Sequence, residues 1–131
     1  MEPPVIKPIA NDFRGESWSL LLPNGQELVL IYTKKGMYRG GHSHNFPETS
    51  IVVSGKMQYK KKFPDGREIE FEHGPGEVLH NEPNEIHVAQ ATEDGWLLDV
   101  KSAKKEDWMT TNYPEYRAKV DEQMKLYGDK K

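Results

Sequence analysis

The sequence predicts an all-β fold, a single-domain antiparallel sandwich or barrel followed by a C-terminal α-helix. Three observations lead there. Short β-type segments recur from Trp18 to about Lys101, and clusters of Pro, Asn, Asp and Gly separate them. After Pro114 the apolar period changes to steps of three and four.

Residues 1–17 hold three prolines and no steady period, and read as an extended N-terminal arm reaching the first strand. In the barrel region, 18–101, "SWSLLL" and "QELVLIYT" flank Pro23-Asn24-Gly25, and Asn-Gly between apolar runs is a hairpin signal. "TSIVVSG" and "KMQYKKKF" follow, then Pro64-Asp65-Gly66 as a turn. "REIEFEH", "GEVLHN", "HVAQA" and "WLLDVK" complete the set, with no helical segment between them. The C-terminal extension, 102–131, places Tyr116, Val120, Met124 and Tyr127 on one stripe of a charged helix. That stripe is expected to pack on the outside of the barrel or on a partner subunit.

At 131 residues, one sizeable core is expected, and 30% charged residues imply a well-solvated surface. A net charge of -3 leaves no long basic patch for phosphates, which argues against nucleic acid. The run Lys60-Lys61-Lys62 reads as a solvated hairpin flank. The absence of cysteine excludes disulfides, thiolate zinc sites and a cysteine nucleophile. No basic-then-apolar leader opens the chain, and no apolar run approaches the ~20 residues of a membrane helix, so a soluble cytoplasmic protein is expected.

The chemistry concentrates in "GMYRGGHSHNFPETSIVVSG". Side chains two apart on a strand share a face, so His42 and His44 project together. Pro47 cannot donate a ladder hydrogen bond, so a bend there lets Glu48 open the next strand and turn towards the imidazoles. A fourth ligand must come from a distant strand. His87 fits, following the turn "EPNEI" and sharing its face with the small Ala89 and Ala91. His73, beside Gly74-Pro75-Gly76, is expected to be exposed; His80 faces either the cavity or, by preference, solvent.

These residues resemble the motifs of the cupins. The first cupin motif is Gly, five residues, His-x-His, three or four residues, Glu, six residues, Gly, and Gly36, His42, His44, Glu48 and Gly55 match it throughout. The second matches in part. Gly76, Pro83 and His87 are present, but Asn84 stands near the expected second glycine and Ala91 where an asparagine is usual. The resemblance, over roughly residues 18–101, implies a jelly-roll β-barrel with a divalent metal inside, often in a homodimer.

Three imidazoles and one carboxylate suit iron, manganese, nickel, cobalt, copper or zinc. Four protein ligands leave two positions of an octahedral ion open, and three function classes follow. The first is an iron-type oxidoreductase acting on a small oxygenated substrate, such as a dioxygenase. The second is a metal-dependent sugar or small-acid isomerase, epimerase or lyase; "NDFRGES" and "YRGGHSH" resemble sugar-nucleotide ketoisomerases and epimerases of the cupin superfamily. The third is a non-catalytic, ligand-binding cupin. Tyr59, which shares a face with Met57 and Lys61, and Arg39 are the candidate catalytic residues, with Tyr38, Tyr32 and Asp99 as further neighbours. Trp18, Trp96 and Trp108 read as core or interface anchors.

Overall fold

Each segment that alternates in the sequence pairs with another in the three-dimensional structure, a computed structural model that describes residues 2–101 and 109–128. The strands are β1 (Val5–Asp12), β2 (Gly15–Leu21), β3 (Glu27–Thr33), β4 (Tyr38–His44), β5 (Glu48–Val52), β6 (Lys56–Lys62), β7 (Glu68–His73), β8 (Val78–Asn81), β9 (Ile86–Glu93), β10 (Gly95–Lys101) and β11 (Thr110–Asn112). Among the described residues one helix, α1, spans Pro114–Tyr127. All strand pairs are antiparallel, and they form two sheets, ordered β1-β2-β3-β10-β5-β8 and β11-β4-β9-β6-β7. The sheets face each other as a jelly roll without closing into a continuous barrel. Val52, Leu79 and Leu97 of the first meet Met57, Tyr59 and Ala91 of the second in the core.

The expected turns form. Gly25 and Gly66 take φ +87° and +92°, and backbone bonds Leu22 N to Gln26 O and Phe63 N to Arg67 O close the two hairpins. The N-terminal arm differs. Residues 5–12 are strand β1, paired with β2 at the sheet's edge, where Pro8 coincides with a register shift. An edge strand tolerates proline because its outer N–H groups have no ladder partner to lose. Asp12 fastens the turn that follows, accepting from the Arg14 backbone at 2.9 Å and its guanidinium at 2.7 Å.

The lysine run also departs from expectation. Lys60 and Lys62 lie towards the helix, over the rings of Tyr116 and Tyr113, but Lys61 is buried inside. Strand parity requires this, since Lys61 continues the inward face of Met57 and Tyr59.

Pro114 starts α1 as expected. Tyr116 and Val120 are buried against Tyr38, Ile86 and Val88 on the outer surface of the second sheet, while Met124 and Tyr127 at the far end are partly exposed. Of the tryptophans, Trp96 packs against Tyr32 at 5.2 Å between centroids, and Trp18 donates to Glu16. Trp108 lies outside the described residues.

Candidate metal centre and cavity

His42 on β4 lies directly opposite His87 on β9, and His44 follows two residues on. One ring nitrogen from each of the three lies within 4.8 Å of the other two. Glu48, the first residue of β5 on the facing sheet, closes the group. Its Oε2 is 3.7 Å from His44 Nε2 and its Oε1 is 3.9 Å from His87 Nε2. The structure therefore brings together all four residues expected to meet, from both sheets.

The local backbone explains the convergence. The ladder between β4 and β9 slips between Gly40 and His42, leaving one extra residue in β4. Gly40 and Gly41 take φ +94° and +81°, and a Cβ on Gly41 would come within 2.8 Å of the Arg117 backbone on α1. The bulge thus needs glycine both for its conformation and for the helix lying on it. A consequence is that Arg39 faces the same cavity as His42 and His44 although it stands at odd spacing from them.

Ring orientation is set from behind. His44 Nδ1 is 3.0 Å from Thr110 Oγ1 on β11, and His87 Nδ1 donates to the Glu85 carbonyl at 3.3 Å. A carbonyl only accepts, so His87 carries its proton on Nδ1 and keeps a lone pair on Nε2, the atom nearer Glu48. Burial pushes the His87 imidazole down to about 4, and the nearby Lys61 cation acts in the same direction. The ring is neutral at pH 7, as a metal ligand must be.

The turn before His87 explains the departure from the second cupin motif. Asn84 adopts φ +70°, the left-handed conformation for which glycine is usual and asparagine the best substitute. Its N–H donates to the His44 carbonyl at 2.8 Å, tying the turn before β9 to the end of β4. Lys61, the register partner of His87, braces the same turn. Its ammonium sits 2.7 Å from the Glu85 carboxylate and donates to the His80 carbonyl at 2.7 Å, while Glu85 also accepts from the Glu82 N–H. Removing one partner of a buried pair strands the other charge. Lys61→Met is therefore expected to cost about 3–5 kcal/mol, and the double change Lys61→Met with Glu85→Leu distinctly less than that. Urea unfolding of the two variants checks this; a single-variant loss no larger than that of the double would remove the pair from the account.

Behind the four residues lies a cavity of about 210 Å³, walled by Val29, Ile31, Met57, Leu79, Ala89 and Leu97. Arg39, Tyr59, Asn81, Ser50 and Asp99 bring polar groups to it. Arg39 is held by Thr33 Oγ1 (2.7 Å) and the Tyr32 carbonyl (2.9 Å), and burial, with Arg14 nearby, lowers it to about 10. Ser50 donates to Asp99 at 2.7 Å. Burial raises the Tyr59 phenol far above its ordinary value, with Asp99 and Glu48 adding to the effect, so it stays protonated and has an O–H to offer. The Tyr59 hydroxyl and both amide atoms of Asn81 are buried with no hydrogen-bond partner among the described residues.

Other candidates fall elsewhere. His80 is exposed, between Thr49 Oγ1 and Glu82 Oε1, both at 2.8 Å. His73, expected to be exposed, is half-buried against Phe71 and Tyr59 and lies 3.1 Å from the Val78 carbonyl, because it ends the inner-facing row of β7. Tyr38 lies under α1 and Tyr32 packs on Trp96, so neither lines the cavity, whereas Asp99 does. Sequence reasoning missed Asn81, Thr110 and the Lys61–Glu85 pair. Parity in "GEVLHN" carries a signal for Asn81, since Leu79 and Asn81 share a face; Thr110 has none, because its pairing with His44 joins residues 66 apart in the chain.

The neutrality of His87 has a measurable consequence. Unfolded, the ring takes its proton near 6.5 but folded only near 4, so between those values the unfolded chain binds more protons. Metal-free protein is expected to lose about 3 kcal/mol of stability as pH falls through that window. Urea midpoints in a chelator, wild type against His87→Leu, test it: a variant with an equally steep pH dependence would clear His87 of the effect.

The chain has the cupin fold, with a three-histidine cluster suited to a divalent ion. No protein-family model matches the sequence, and no curated protein matches it. Solved structures do. Bacillus subtilis oxalate decarboxylase, in a two-residue deletion variant, superposes with a TM-score of 0.71 at 18% identity, covering 90% of this chain and 34% of that one. A second structure of that decarboxylase, described for its Mn(II) centres, has a TM-score of 0.68 at 20% identity over 82% of this chain and 30% of that chain. The capsular polysaccharide assembling protein CapF from Staphylococcus aureus has a TM-score of 0.68 at 19% identity, over 86% of this chain and 33% of that one. The chain spans about a third of the length of these structures, and likeness at such identity establishes the fold alone.

Proposed function

We propose that the protein is a divalent-metal enzyme acting on a small oxygenated molecule, with His42, His44, His87 and Glu48 as the metal ligands. The observation that carries it is the meeting of three imidazoles and a carboxylate, from two facing sheets, on the wall of a cavity that holds unpaired buried polar groups. The donor set fits the borderline divalent ions, and the comparison with a decarboxylase described for its Mn(II) centres supports the same class of cofactor. Such an ion supplies Lewis-acid polarisation and, where it is redox-active, electron transfer. The chain's own residues exclude water through the apolar walls, orient substrate from Asn81 and Arg39, and hold a proton on the Tyr59 hydroxyl.

Metal-centred oxidation of the dioxygenase type is the reading we favour over isomerisation. Among the described residues lining the cavity, no histidine remains for acid–base work once three are assigned as ligands. The homodimer and cytoplasmic location expected from the sequence belong to the same proposal, the first checked by the particle's mass in solution.

Elemental analysis of protein purified without added metal tests the centre: about one ion per chain is expected, and a metal-free protein that takes up none on titration overturns it. Oxygen consumption by the Fe(II)-loaded protein with small oxygenated candidates tests the reaction. Product formed equally well without oxygen would transfer the proposal to the isomerase or lyase class.

A further inference from the structure

Asn81 and Tyr59 form a built but unsatisfied polar surface. Asn81 is 2% exposed and Tyr59 3%, and neither side-chain polar group has a hydrogen-bond partner among the described residues. Leaving such groups unpaired is costly, so their partner is expected to come from outside the chain. Asn81 is the direct cross-strand neighbour of Glu48, which places its amide beside the proposed ion. Tyr59 stands in the next row along, paired through Ala89 to Arg39 just as Lys61 is paired through His87 to His42.

Charge and size narrow the partner further. A divalent ion and Arg39 against Glu48 and Asp99 leave one positive charge at the cavity. The Asn81 N–H groups and the Tyr59 O–H supply donors, and the walls are aliphatic. At about 210 Å³ the space is below the ~300–1,000 Å³ of sites for drug-sized ligands. We infer that the cavity binds a compact monocarboxylate with an apolar body, its carboxylate held between the metal centre and the Asn81 amide and Tyr59 hydroxyl. This rests on the proposed metal centre.

The test uses Co(II)-loaded protein, whose visible spectrum and calorimetric titration report ligands. Butanoate is the probe, with butanamide as the neutral analogue of equal size and succinate as the dianion. Butanoate is expected to bind about tenfold or more tightly than either. Asn81→Leu and Tyr59→Phe are each expected to weaken butanoate by about tenfold while leaving cobalt affinity unchanged. A change in packing alone would weaken butanoate and butanamide alike, and that result overturns the inference. So does a metal-loaded protein that binds butanoate no better than butanamide, with the metal centre left standing. Failure to bind cobalt at all would remove both.

Discussion

Replacing His87 with alanine is expected to abolish tight metal binding while leaving both sheets folded. Disturbing a residue behind a ligand already costs about 10–100-fold in metal affinity, so removing the ligand should exceed that range. Of β9 only His87 and Ala89 line the cavity, so His87, directly opposite His42, is the donor that strand would bring to an ion there. The fold should survive because the core of Val52, Met57, Leu79, Ala91 and Leu97 is apolar, joins both sheets and does not include the imidazole. His42→Ala should behave alike. Titration with Mn(II), alongside circular dichroism and thermal melting, measures both halves. His80→Ala is the control, since that ring is exposed and lies outside the cavity; His73 is unsuitable because it packs on Phe71 and Tyr59. A variant that binds Mn(II) with wild-type affinity would remove its residue from the ligand set.

Asn81→Leu should make the ligand-free protein more stable. Both ends of the Asn81 amide are buried without partners among the described residues, and an apolar side chain of greater volume removes that cost while filling part of the cavity. The gain expected is about 1–3 kcal/mol, seen as a higher urea midpoint at an unchanged slope. Stability traded for a binding group is the usual pattern at functional sites. A clear loss of stability instead would mean that the amide is satisfied within the folded protein, and its assignment to a ligand would fall with it. Tyr59→Phe offers the parallel measurement with almost no change in shape.

Much of the site was legible before the fold was known, and the reasons are local. His42 and His44 share a face because strands have a period of two; their strand ends at His44, and Glu48 begins the next directly after Pro47. Asn84 in place of glycine looked like a defect in the turn, and its φ of +70° accounts for it. The N-terminal arm was misread because prolines suppress the strand pattern, yet they are tolerated at a sheet edge.

By itself, then, the sequence determined the strand segments, their turns, the helix after Pro114 and the four residues that converge, because each depends on periodicity or on the backbone preference of a few neighbouring residues. Only the tertiary structure decided that Arg39 enters the cavity through a bulge, that Lys61 lies inside beside Glu85, that Thr110 stands behind His44, and that Asn81 faces Glu48 with no hydrogen-bond partner among the described residues. Those facts depend on register between strands far apart in the chain, where a slip of one residue turns every side chain to the opposite face.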